Sequence, residues 1–128
     1  MSPEQIARVR TTVFLLDGRE SDLAAAFTAE LVVHAPTAQR LLPDPARAGD
    51  AILRELQAFA DVATDFDALQ TWARQLGAAS GAPVTASELR GIGLALVQAL
   101  DTVLDAAFGP DEREAWQAGV ALVTELTG

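Results

Sequence analysis

Cysteine, lysine, tyrosine and asparagine are absent from this chain, and histidine and methionine occur once each, as His34 and Met1. Without cysteine there is no disulfide, no thiolate zinc site and no iron–sulfur cluster. The same absences remove thiol, amine and phenol nucleophiles. Ser, Thr, Asp, Glu, Arg and one imidazole are what remain for chemistry. All nine basic residues are arginine, against eighteen acidic ones, giving a formal charge of −9. An acidic surface repels phosphate backbones and anionic headgroups, so neither nucleic acid nor a membrane is an expected partner. No apolar run approaches the ~20 residues of a membrane span. The opening segment carries acid and base early and has no secretory pattern, so a cytoplasmic location is the expectation.

What is present reads as helix. The 128 residues are half hydrophobic, enough for one domain over 1–128 with a sizeable core. Ser2-Pro3-Glu4-Gln5 combines an N-cap, a first-turn proline and a capping-box partner. Ile6, Val9, Val13 and Leu16 follow at helical spacing, predicting a helix over about 3–16, which Asp17-Gly18 ends. Ser21 is placed to cap a second helix, 21–34, with Leu23, Phe27, Leu31 and His34 on one face and Ala24, Thr28 and Val32 beside it. Pro36 breaks that helix, and a short one is expected over 36–42. Further helices are predicted over 46–62 and 66–79, the second capped by Asp65. Thr85 and Glu88 form a second capping box, with Val84 and Leu89 as its hydrophobic staple, opening a helix of 86–107. Gly91 and Gly93 lie inside it, as at a close helix crossing. Gly109-Pro110 stops that helix and starts the last, whose first turn carries Asp111, Glu112 and Glu114, where the helix dipole favours anions. No strand alternation appears. The fold class is all-α with six to seven helices, the last two long and antiparallel.

The remaining motifs have simple structural explanations. Asp61, Asp65 and Asp67 lack the ligand number and glycine turn of a calcium loop. The Gly91-Ile92-Gly93 triplet lies mid-helix with no strand before it, so it is no phosphate loop. No glycine-flanked nucleophile elbow exists to join His34 in a triad. Glu55 and Asp50 are expected to pair with Arg54 or Arg47 on a solvated face. Trp72 and Trp116 are expected in the core or at helix interfaces.

In order and spacing the chain resembles bacterial globins and the globin domains of flavohaemoglobins. "SPEQIARVRTTVFLL" is similar to their first helix. "LAAAFTAELVVHAPTAQRLLPD" resembles their second and third helices. "LGAASGAPVTASEL" resembles the segment that carries their proximal haem histidine. "AFGPDEREAWQAGVALV" resembles the start of their last helix, with its Ala-Trp pair at Ala115-Trp116. The likeness covers nearly the whole chain and implies a globin-like fold.

It also implies a degenerate haem pocket. Ala79, or Ser80 with a one-residue gap, stands where the family has the proximal histidine. Thr28 stands at the distal tyrosine and Leu42 at the phenylalanine that packs on haem. The corner at Pro43–Gly49 is shorter. The pocket lining implied by the resemblance is Thr28, Val32, Leu42 and Ile52, with Leu56, Leu76, Leu89 and Ile92. Protein haem iron takes His, Cys, Met or Tyr as axial ligand. Met1 stands at the chain's end, and His34 sits at a corner by the exit of the second helix, so neither cofactor nor metal is expected. Leu and Thr in place of aromatics remove volume from the lining, leaving a collapsed space or a cavity, with collapse the expectation. The reading is a non-haem globin-like sensor, regulatory or protein-interaction module, not an enzyme. A homodimer or protein partner is expected, the last two helices being the place for a dimer face. A small apolar ligand is the further expectation. The alternative is a haem globin, binding oxygen or dioxygenating nitric oxide, with His34 as a rewired ligand. No nucleotide-binding fingerprint occurs, so any reductase would be a separate protein.

Overall fold

Two capping boxes anchor the architecture at its local level. The Ser2 hydroxyl accepts from the Gln5 N–H (3.1 Å) while the Gln5 side chain accepts from the Ser2 N–H (2.9 Å). Thr85 and Glu88 reproduce that reciprocal pair at 3.0 and 3.1 Å. Each box satisfies backbone donors that the first helical turn leaves without partners, at a gain of about 1 kcal/mol.

The computed structural model describes residues 1–42, 45–78 and 84–127, apart from the side chains of 45, 46, 76–78 and 127. The described chain is all-helical. The α-helices are α1 (Pro3–Leu15), α2 (Glu20–His34), α3 (Pro45–Val62), α4 (Phe66–Ala78), α5 (Ala86–Leu104) and α6 (Pro110–Thr127). Short 3₁₀ helices cover Pro36–Leu41 and Asp105–Ala107. No described helix is long and apolar enough to cross a membrane.

Three local expectations are corrected. Helix α2 starts at Glu20 with Arg19 at the N-cap and no side-chain cap, so Ser21 lies inside the first turn. The short third helix is 3₁₀, because Pro36 removes a backbone donor and Leu42 is already extended. The long fifth helix ends at Leu104, where Asp105 takes φ 47°, a left-handed value that L-residues rarely adopt. Asp65 does cap α4, its Oδ1 accepting from the Asp67 and Ala68 N–H groups at 3.1 and 3.2 Å.

Helices α5 and α6 run antiparallel. Arg113, near the start of α6, pairs with Asp101 near the end of α5 at 3.3 Å. Farther along α6, Val120 meets Gly93, farther back on α5. A Cβ at Gly93 would overlap the Val120 side chain, and one at Gly91 would overlap the His34 carbonyl at the end of α2. These glycines are the close crossings that let α5 touch both neighbours.

The main core joins α1, α3, α4, α5 and α6, with Leu23 added from α2. Trp116, Leu16, Leu100, Leu69 and Val9 are at most 1% exposed within it. Each such side chain contributes roughly 1.5–3 kcal/mol by burial. Met1 is not loose: it packs against this core, with its sulfur beside Gly119 of α6. A second cluster, mostly between α2 and α5, is built from Phe27, Leu31 and four alanines: Ala35, Ala38, Ala95 and Ala99.

Candidate functional site

The two clusters border a cavity of about 660 Å³. Its floor comes from α2 and α3, through Phe27, Leu31, Ile52, Leu56 and Phe59. Helix α5 and the residue before its cap add Val84, Leu89, Ile92, Gly93 and Leu96. Trp72 of α4 joins the wall, as do Trp116, Gly119, Val120 and Val123 of α6. The segment after α2 closes one end with Ala38, Arg40, Leu41 and Leu42. An apolar, half-open space stands where collapse was the expectation. The backbone does not close this space up, because α2, α5 and α6 are already in contact at Gly91 and Gly93.

Of the positions that the resemblance implied as lining, Leu42, Ile52, Leu56, Leu89 and Ile92 lie in this wall. Thr28 and Val32 do not: Thr28 is exposed and Val32 is 52% exposed. One helical residue is about 100° of rotation, and α2 is turned by that step, so Phe27 and Leu31 face inward instead. The 3.6-residue spacing already grouped Phe27 and Leu31 with Leu23; the position-by-position likeness displaced them. Ala79, Ser80 and the Leu76 side chain lie outside the described residues. Phe27, Leu31, Phe59, Trp72 and Trp116 are the aromatic and large apolar residues that stand out among the lining residues the resemblance missed. The apolar spacing of α2, and the Trp positions on apolar helix faces, were the available signals.

Two residues of the described wall are solvent-exposed, Arg40 and Glu55, and both are the charged ones. They form the rim. Arg40 is bound to Glu88, a carboxylate only 10% exposed. Both guanidinium Nη atoms of Arg40 donate to Glu88: Nη1 to Oε2, and Nη2 to Oε1 at 3.1 Å. Glu88 also accepts from the Thr37 hydroxyl at 2.8 Å and from the Thr85 N–H at 3.1 Å. These donors, Arg40 first, hold its pKa at about 2, well below the usual 4.5. The same pairing pushes Arg40 upward. The bridge joins the Pro36–Leu41 segment to the start of α5 across 48 residues of sequence, and α2 leads directly into that segment. Glu55 accepts from the Trp72 indole N–H at 3.2 Å. Among the described residues no ion pair joins Glu55 or Asp50 to Arg54 or Arg47.

Phe59 sits between the two tryptophans, with ring centroids 5.6 Å from Trp72 and 6.0 Å from Trp116. The expected core role holds for Trp116, which is 1% exposed, while both rings also face the cavity wall. The Trp116 Nε1 is enclosed and has no hydrogen-bond partner among the described residues. An unsatisfied buried donor costs about 1–3 kcal/mol.

The described wall of the cavity offers no axial ligand for haem iron. Neither His34 nor Met1 is in its described wall, and the residues outside the description include no His, Cys, Met or Tyr. His34 sits at the end of α2, its side chain 31% exposed and 3.3 Å from Glu30. Among the described residues no group of three His, Cys, Asp or Glu could hold a metal ion. Asp61, Asp65 and Asp67 accordingly form no such site. No protein-family model and no curated protein matches this sequence.

Proposed function

We propose that the chain is a globin-like, non-haem domain that binds a small apolar ligand and serves as a sensor or regulatory module. The observation that carries this reading is the apolar cavity of about 660 Å³ whose wall offers no iron ligand. Ligand pockets typically span about 300–1,000 Å³ with few polar groups. The order of the helices supports the globin-like part of the reading, with the half-open cavity bordered by α2, α3, α5 and α6. A binding role is favoured over catalysis because the charged groups of the described wall, and its Thr124 hydroxyl, are already engaged. Arg40 holds Glu88, Glu55 holds Trp72, and the Thr124 hydroxyl donates to the Val120 carbonyl at 2.8 Å. Occupancy would be read by a protein partner or by a second copy of the chain.

The test is titration with the neutral fluorophore N-phenyl-1-naphthylamine, beside a titration with hemin. One saturable fluorophore site is expected, lost in Ile92→Trp, which fills the wall from α5. Hemin is expected to give only broad absorbance. A sharp Soret band that disappears in His34→Ala would overturn the reading in favour of a rewired haem globin.

A further inference from the structure

Resting on the cavity reading, one question is which charge its ligand carries. The charged residues of the described wall lie at its rim, where Arg40 is the one cation. The residues outside the description include no Arg or Lys, so they bring no second cation. Arg40 is not available on easy terms. Glu88 receives two of its guanidinium donors, together with the Thr37 hydroxyl and the Thr85 N–H, while remaining 10% exposed. A ligand carboxylate that took Arg40 would leave Glu88 nearly buried and stripped of its strongest partner. Removing one member of such a pair is far costlier than leaving the pair alone. A ligand anion that left Arg40 to Glu88 would instead bring an unpaired charge to an apolar wall. The chain's net charge of −9 adds to the penalty. Among the described wall residues the one carboxylate that a cationic ligand meets is Glu55, which is exposed and already accepts from Trp72; exposed pairs contribute little.

We infer that the ligand class is an uncharged apolar molecule, and that the Arg40–Glu88 bridge acts as a neutral rim that turns away fatty-acid-like anions. Trp72 and Trp116, both in the wall, report occupancy through their intrinsic fluorescence.

The experiment is a tryptophan-fluorescence titration of the intact chain with dodecanol and, separately, with dodecanoate and dodecylammonium below their micelle concentrations. Dodecanol is expected to bind about tenfold or more tighter than either charged analogue. Dodecanoate binding as tightly as the alcohol, with that binding lost in Arg40→Gln, would overturn the inference and leave the cavity reading standing. So would tighter binding of dodecylammonium that Glu55→Gln abolishes. If none of the three perturbs the tryptophans, the cavity reading itself falls, and the inference with it. The comparison among ligands on the wild-type chain decides the matter even if a variant fails to fold.

Discussion

The two halves of this molecule are made of the same apolar alphabet but filled differently. Where α1, α4 and α6 meet α3 and α5, the core uses large side chains, with Trp116, Leu16 and Leu100 essentially inaccessible. Where α2 meets α5, the buried contact is mostly alanine, and a cavity lies alongside. Alanine brings helix axes together but fills little space beside them. The filled half supplies packing contacts on all sides of each residue. In the hollow half, wall atoms lack partners on one side and lose that share of dispersion energy. Leu56, Phe59 and Trp116 belong to the filled core and also line the cavity, so the two regions meet along that wall.

The largest effect should come from emptying the filled half. Leu100→Ala is expected to destabilise by about 3–5 kcal/mol, the range for a fully buried leucine that leaves a new void. Ile92→Ala, in the cavity wall, is expected to cost roughly 1 kcal/mol, since the methyls removed already face space. Urea unfolding of both variants checks the contrast; equal losses would break it.

Gly91→Ala tests the close approach on which the hollow half depends. Its Cβ would overlap the His34 carbonyl, which is backbone and yields poorly. The expected loss is about 1–3 kcal/mol, as for overpacking elsewhere, read by the same unfolding experiment.

The rim adds a pH dependence. Glu88 has a folded-state pKa of about 2 against an ordinary 4.5. Its contribution is therefore fully present above 4.5 and is lost as pH falls from there towards about 2. Glu88→Gln should flatten the stability profile over that window and weaken the tie between the Pro36–Leu41 segment and α5. Thermal melts across the window check this. A variant with the wild-type slope would assign the acid sensitivity to other carboxylates.

The smallest effect expected is a gain. Asp105 holds φ 47° and ψ −110° at the end of α5, a backbone shape that suits glycine. Asp105→Gly should stabilise by up to about 1 kcal/mol, seen as a raised melting temperature.

The helices were legible in the sequence because their signals are local. Ser2, Thr85 and Asp65 announce starts within a few residues, and the period of Leu and Val marks each buried face. Ser21 misled because a side-chain cap is one of several ways to begin a helix, and α2 starts without one. The site was less legible. Leu42, Ile52, Leu56, Leu89 and Ile92 fell in the wall, but Thr28 and Val32 were displaced by one step of α2, a rotation that a likeness between sequences does not resolve. The Arg40–Glu88 bridge spans 48 residues and has no local signature. Whether small side chains produce collapse or a cavity depends on how far helices can move, and that is set by distant contacts such as Gly93 against Val120.

The most direct test of the central claim is a crystal structure of the chain under xenon pressure. Xenon occupies apolar cavities and has no need of polar partners. The account predicts xenon density among Ile52, Leu56, Ile92 and Leu96, with the surrounding helices in place. A lattice of well-ordered molecules with no xenon there, and with those four side chains packed against one another, would contradict it.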